Sequence, residues 1–436
     1  MRKYYQAALT VTAVVSLISL LIYIHEYNKL RYVLEVFNYF GQPGPRKADA
    51  SCANVSSSFT SFSAKFDEPI PSWQHLEDDL YIYSAYSINE KEIRAVGLGT
   101  RSSISNVQCL VYFEDESKPI LGSFKFNPIG NAVVSNLREG LRYGGYHFVC
   151  TYTSDKTPTG ITFVKKSNKY LNYAPIFSIK IQPQSLSHSR IAVCVTQSLI
   201  KPTKSIDMIG FIAFHALIGM DNFIIYDSGI PNEFNSKLKE MANDPTSFWK
   251  FTYTVVPWNF PFTEIDQNVI REIIETDCLY RTYNNAAYAI TLSWNEYVNL
   301  KYHHATIDLL ADYKKTNKMV ADRYKLQLTT FCTQQADNKQ YANSTLIVLK
   351  KTKTSENILE DRSICIHKPF VTLQKSRVYV KEIGKNLIAV NQYKYCNNYK
   401  ETKEIEDLTI LRFAQDIQNS SILRKYLGRY NALRAV

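Results

Sequence analysis

The chain has 436 residues, 45% of them hydrophobic and 21% charged, with a formal net charge of +11. That is enough for a sizeable core and about two or three domains. The basic charge is dispersed, with no long Lys/Arg block, no basic helix and no paired zinc-ligand spacing. It therefore reads as a solvated basic surface rather than a nucleic-acid footprint, one that can still favour phosphates or membrane headgroups.

In chain order, residues 1–6 read as a cytosolic tail and 7–24 as a transmembrane signal anchor. Ala7 to Ile24 carries no charge and spans roughly 27 Å as a helix, close to a bilayer core. Tyr4, Tyr5, Tyr23 and Tyr27 flank it as interfacial aromatics do. A cleaved signal peptide is the alternative, but His25-Glu26-Tyr27-Asn28-Lys29 offers no small-residue cleavage site. Arg2 and Lys3 favour a cytosolic N-terminus, although Lys29, Arg31, Arg46 and Lys47 blunt the asymmetry. Glycosylation triplets at Asn54, Asn343 and Asn419, and eight cysteines without a CxxC pair, suit a luminal body with disulfides. The expectation is a single-pass type II membrane protein of the secretory pathway.

Residues 25–72 read as a stem, with Gly41-Gln42-Pro43-Gly44-Pro45 and a Ser-rich run from Ser51 to Ser63. Residues 73–186 read as a small β-sandwich. Leu80–Tyr86, Val107–Phe113, Gly145–Tyr152 and Gly160–Val164 have strand composition, and Asn127–Asn131 is a turn signal. Cys109 and Cys150 both fall in strands and can bridge.

Residues 187–436 alternate strand and helix, the pattern of an α/β fold with a mostly parallel sheet and flanking helices. Ile191–Thr196, Asn222–Tyr226 and Phe248–Val256 are buried-strand candidates. Ser205 is placed to cap a helix that stops at Gly219, and Thr263 to cap a longer one running to about Tyr283. Ala286–Leu292 is the next strand, ending abruptly in Ser293-Trp294-Asn295-Glu296. Helix is expected over Ile307–Tyr313, then strands to Tyr395, then an amphipathic helix from Leu408 to about Tyr426.

Over Arg190–Glu296 the stretches RIAVCVTQ, IDMIGFIAFHALIGMDNFIIYD, VVPWNFP, ETDCLYR and SWNEY follow one another. In order and spacing they resemble glycosyltransferase family 92, and the resemblance extends over roughly Trp73–Lys400. It implies a GT-A fold in a Golgi type II membrane protein. It also implies inverting transfer of galactose from UDP-galactose to a glycan, with manganese.

Ligands of open α/β sheets lie over the carboxyl ends of strands. That gathers Thr196, Gln197, Tyr226, Asp227, Trp258 and Ser293–Glu296 around one donor cleft. Asp227 can bind the ribose or base, or serve as a turn residue before Gly229. Asp277 can point at the cleft or cap a neighbouring segment. Tyr226 and Trp258 can stack on a base or pack in the core.

The family usually reads Asp-x-Asp-Glu-Phe where this chain reads Ser293-Trp294-Asn295-Glu296-Tyr297, and often His-Tyr-Arg where it reads Gln392-Tyr393-Lys394. Manganese prefers carboxylate oxygens, so the metal positions Ser293, Asn295 and Gln392 are degenerate. Three readings follow. In the first, a transferase works without metal, Lys394, Lys301 or Arg281 offsets the phosphate charge, and Glu296 is the leading candidate for a catalytic base or an acceptor-orienting carboxylate. In the second, a pseudoenzyme binds glycans or a partner. In the third, the metal site is rebuilt around Glu296 with Asp277, Asp227 or the His303-His304 pair. The first defines the expected class, a hexosyltransferase using a UDP-sugar and a glycan acceptor.

Overall fold

The computed structural model describes residues 73–424 except 77–78, 90, 115, 117, 137–140, 167–174, 180–189, 197–203, 244–250, 263–266, 317–320, 356–362, 376 and 397–403; before residue 73 it describes only Ser16 and Ser19. The expected tail, membrane anchor and stem, with Asn54 and Cys52, lie outside the described residues, as does Gln197. Among the described residues no helix is long and apolar enough to cross a membrane.

The fold is mixed α/β. An antiparallel sheet comes first, formed by β1 (Gln74–His75), β2 (Leu80–Asn89), β3 (Glu92–Gly99), β4 (Val107–Phe113), β5 (Ile120–Asn136), β6 (Leu141–Thr151), β7 (Pro158–Lys165) and β8 (Phe177–Ser178). The expected sandwich is instead one hydrogen-bonded path, β1-β2-β3-β6-β5-β4-β7-β8. The reason is the length of β5, which pairs with β4 through residues 120–122 and with β6 through the rest. The turn expected at Asn127–Asn131 lies inside β5 as a bulge, with a register shift between Pro128 and Val133 and Gly130 at φ 47°.

Cys109 on β4 and Cys150 on β6 are joined across the intervening β5. Gly122 makes the crossing feasible, because a Cβ there would lie 2.4 Å from Cys150 Sγ and 2.8 Å from Cys109 Sγ. Further bridges join Cys194 to Cys278 and Cys332 to Cys396.

The second sheet contains β9 (Ile191–Thr196), β10 (Asn222–Asp227), β11 (Thr252–Pro257), β12 (Tyr288–Ser293), β13 (Glu296–Leu300) and β14 (Arg323–Cys332). A short β15 (Lys353–Ser355) pairs elsewhere with β19 (Glu404–Glu406). The sheet continues with β16 (Ser363–His367), β17 (Val380–Glu382) and β18 (Ile388–Lys394). Its order is β11-β10-β9-β12-β16-β14-β18-β13, with β17 beside β14. The expectation of a mostly parallel sheet holds for the half β11-β10-β9-β12, and β14 also pairs in parallel with β17 and β18. Beyond β12 the pairings with β16 and between β13 and β18 are antiparallel, and antiparallel pairs dominate the described chain as a whole.

Four long helices accompany it, α1 (Ser205–Leu217), α2 (Asn232–Ala242), α3 (Gln267–Thr282) and α4 (Thr306–Thr316). Ser205 is the first residue of α1 rather than its cap; Lys204 holds the cap position and makes no side-chain cap bond, and Gly219 beyond the helix takes φ 82°. The expected C-terminal helix is a 3-10 turn, Thr409–Phe413, then a short helix, Ala414–Asn419, interrupted at Ser420.

Strand alternation assigns the faces. Ile191, Val193, Val195, Phe223, Ile225, Ile290 and Leu292 join the core on the α1 side. Ala192, Cys194, Ile224, Tyr226 and Ala289 face α3 and the first sheet, in a core that includes Trp73, Tyr83, Tyr86, Val96 and Leu98. The two sheets therefore share a hydrophobic cluster, and the Cys194–Cys278 bridge ties α3 to β9 within it.

A buried histidine, His215, and a partly buried one, His147, sit at joints of this packing. His215 Nδ1–H donates to the Phe211 carbonyl (2.9 Å), so its Nε2 accepts the Val298 N–H (3.3 Å), and burial lowers its pKa to about 3. His147 meets the Tyr280 hydroxyl at 2.6 Å, and burial with the Arg94 charge lowers it to about 4. Both are neutral in the fold and protonate more readily once unfolded, so stability is greatest above about pH 6.5 and falls as pH drops towards the folded values. The melting temperature should therefore fall between pH 7.5 and pH 5, and His147→Gln should flatten that fall; an unchanged slope would remove the linkage. Gly122→Val should block the Cys109–Cys150 bridge, read as two additional titratable thiols in denaturant.

Candidate functional site

In the parallel half the chain enters at β9, adds β10 and β11 on one side, and then crosses to β12 on the other. The reversal leaves a crevice at the carboxyl ends of β9 and β12, where α/β folds place ligands. Thr196 and Ser293 end these strands in register, and their hydroxyls are hydrogen bonded at 2.9 Å. Both side chains point to the α3 side, by alternation with Val195 and Leu292.

After Ser293 the chain turns through Trp294 and Asn295 and re-enters as β13, with Glu296 opposite Gln392 of β18. Each side chain in this turn is committed. Trp294 is buried edge-on to Phe211 and Phe234. The Asn295 carbonyl accepts the Tyr393 N–H and its Nδ2 donates to the Tyr393 carbonyl, both at 2.9 Å. That reciprocal pair needs an amide donor, which an aspartate in the same place would lack.

Glu296 is 0% exposed. Arg271, one turn into α3, donates from Nη1 to both carboxylate oxygens, at 2.9 and 3.2 Å, and from Nη2 to the Thr291 carbonyl. The Ser293 N–H donates to Oε2 (2.9 Å) and Gln392 Nε2 to Oε1 (3.1 Å). The expectation that Glu296 faces an acceptor hydroxyl is thus not met. Its lone pairs hold the loop to α3 and β18, because a buried charge is tolerated only when paired and hydrogen bonded.

Lys394 ends β18, half-buried. Two residues beyond Gln392, which bonds Glu296, it shares that residue's face of the strand; burial lowers its pKa and the Glu296 charge opposes the shift. Lys301 pairs with Asp407 at 2.6 Å, and Arg281 pairs with Asp277.

Tyr226, Trp258 and Asp277 form a separate buried cluster rather than a wall of the crevice. The Asp277 carboxylate accepts from the hydroxyls of Ser84, Tyr86 (2.8 Å) and Tyr226 (2.6 Å), and from Arg281. Trp258 packs against Trp73, Tyr83, Tyr226 and Phe260. Asp227 shapes the loop after β10, its Oδ1 accepting the N–H groups of Gly229 (2.8 Å) and Ile230 (2.6 Å). His303 turns to Asp312 at 3.3 Å and His304 to Phe413.

A manganese ion does not fit these residues. Ser293, Asn295 and Gln392 contribute neutral groups, the amides of the last two are already donating, and Glu296 is enclosed. Among the described residues no three of His, Cys, Asp or Glu converge as ligands.

Arg271 belongs to the site although no motif in the sequence marks it. Its signal is a guanidinium set among Val269, Ile270, Ile273 and Ile274, on a helix side otherwise expected to be apolar. Arg271→Met should cost about 3–5 kcal/mol, because it strands the Glu296 charge. Adding Glu296→Gln should recover most of that loss in the urea midpoint; additive losses would refute the pairing. The chain matches no protein-family model, and no curated protein matches it.

Proposed function

We propose that the chain is a sugar transferase of GT-A type that holds the diphosphate of a UDP-sugar at the β9/β12 crevice without a divalent metal. The reaction would be transfer of a galactose-type hexose to a glycan in the secretory pathway. The observation that carries this reading is the parallel order β11-β10-β9-β12, whose switch point ends in the paired hydroxyls of Thr196 and Ser293 with Lys394 nearby. Hydroxyls can donate to phosphate oxygens, and a half-buried ammonium offsets their charge where a metal otherwise would. A luminal type II topology in the Golgi membrane is part of the proposal. It is supported by the disulfides, which suit an oxidising compartment, and by the exposure of Asn343 and Asn419.

One observation favours a second reading, a catalytically inactive protein that binds a glycan or a partner. A general base must reach the acceptor hydroxyl. Glu296, the carboxylate nearest in sequence to the crevice, is enclosed by Arg271, Ser293 and Gln392.

Calorimetric titration with UDP, with and without Mn²⁺, tests the proposal. Binding should be equal in both conditions, and Lys394→Ala should weaken it about tenfold, the loss of one charge-assisted contact. Binding only with Mn²⁺ would overturn the metal-free site. Absence of UDP binding in either condition would overturn the transferase reading. UDP binding without hydrolysis of any UDP-sugar would favour the inactive reading.

A further inference from the structure

A cavity of about 440 Å³ lies against the C-terminal end of α3, where Asn284 forms one side of it. Arg271, at the crevice, is roughly 17 Å or more back along that helix. The other walls come from the first sheet: the turn between β2 and β3, and the loop between β6 and β7. The volume is that of a small-molecule site, for which about 300–1,000 Å³ is usual.

The two walls are tied in place. The Tyr152 N–H donates to the Lys91 carbonyl (3.1 Å), Asn89 Oδ1 accepts the Lys91 N–H (3.2 Å), and Ser154 Oγ accepts the Lys156 N–H (3.2 Å). Ser87 Oγ donates to the Asn89 carbonyl (3.2 Å). These bonds explain the shape of the turns, but not the chemistry of the lining.

Three properties of the lining select a ligand. First, its charges cancel in pairs: Lys91 Nζ meets Asp155 at 3.0 Å, and Lys156 Nζ meets Glu116 at 3.3 Å. Neither sign is in excess, so no net field draws an anion or a cation. Second, its other polar groups both give and take hydrogen bonds, through the amides of Asn89 and Asn284 and the hydroxyl of Thr157. Asn89 keeps its Nδ2 donors, and the Thr157 hydroxyl has no partner among the described residues. Third, Ile88, Tyr152 and Pro158 give a buried apolar part, in which the Tyr152 ring is set edge-on to Phe113.

We propose that this cavity binds a neutral oligosaccharide. Sugar hydroxyls donate and accept at once, as do the amides and hydroxyl that meet them here. The C–H face of a pyranose ring lies on Tyr152 and Pro158, the apolar surface that orients a ligand under a few placed polar groups. Walls already fixed by backbone bonds lose little entropy when the ligand enters. The site stands whether or not sugar is transferred at the crevice.

The test uses the full chain in a detergent without a sugar headgroup. Maltotetraose, chitotetraose and lacto-N-tetraose are titrated separately and read by saturation-transfer NMR. At least one should bind, with a Kd unchanged between about 0.05 and 0.5 M salt, because no charge is engaged. Thr157→Trp, at an exposed position of the lining, should fill the cavity and weaken that probe about tenfold or more. Asn284→Ala should weaken it severalfold. Asn235→Trp, also exposed but on α2, should leave binding within about twofold. Absence of binding by all three probes, equal loss in both tryptophan variants, or tighter binding of a sulfated lactose would overturn the site. Loss in Lys394→Ala with none in Thr157→Trp would move the saccharide to the crevice and overturn it equally.

Discussion

The Asp277 carboxylate is the joint on which the architecture depends. It is buried in helix α3, and its bonding partners come from three directions: Ser84 and Tyr86 from the first sheet, Tyr226 from the second, and Arg281 from its own helix. A buried carboxylate must collect such donors, since an uncompensated one costs several kcal/mol. Its demand therefore holds both sheets to one helix. The Cys194–Cys278 bridge, one residue along, fixes the same helix to β9 covalently. The first sheet is thus built into the core of the second and is not appended to it.

The same helix governs the crevice. Earlier in the same helix than Asp277 and Arg281, Arg271 reaches the end of β12 and binds Glu296. The turn Ser293–Glu296 is then clamped from three sides, by α3, by β18 through Gln392 and Tyr393, and by the α1 side through Trp294. In this arrangement Asn295 and Gln392 act as amide donors within the framework. The crevice is left with hydroxyls and a nearby lysine, chemistry suited to holding an anion and poor at holding a hard cation. The enclosure of Glu296 is what sets transferase and inactive readings against each other, because the same bonds that order the loop withdraw its carboxylate from reaction.

Much of the fold was legible in the sequence wherever a short apolar run ended in a turn signal. Ile191–Thr196, Asn222–Asp227 and the strand into Ser293 appear where the pattern puts them, and Cys109 is bridged to Cys150. Local signals failed where tertiary context overrode them. Asn127–Asn131 has turn chemistry, yet β6 pairs on both sides of it and absorbs the extra residues as a bulge. Ser205 has capping chemistry but lies one residue inside its helix. Tyr226 and Trp258 have the composition of stacking residues, but the first sheet covers them.

By itself, the sequence determined the strands that end at the crevice and the helices between them, the alternation that sends Thr196 and Ser293 to one face, and the absence of carboxylates at Ser293 and Asn295. These follow from periodicity and residue chemistry, which are local. The tertiary structure decided what each polar group does. Glu296 is enclosed and Asp277 is a joint, Lys394 rather than Lys301 or Arg281 stands by the crevice, and Arg271 belongs to the site at all. Such roles depend on which distant donors meet a buried charge, and those donors lie 25 residues from Glu296 at Arg271 and 96 at Gln392. No local pattern encodes contacts at that separation; they exist only once the strands are ordered and the helix is laid across them.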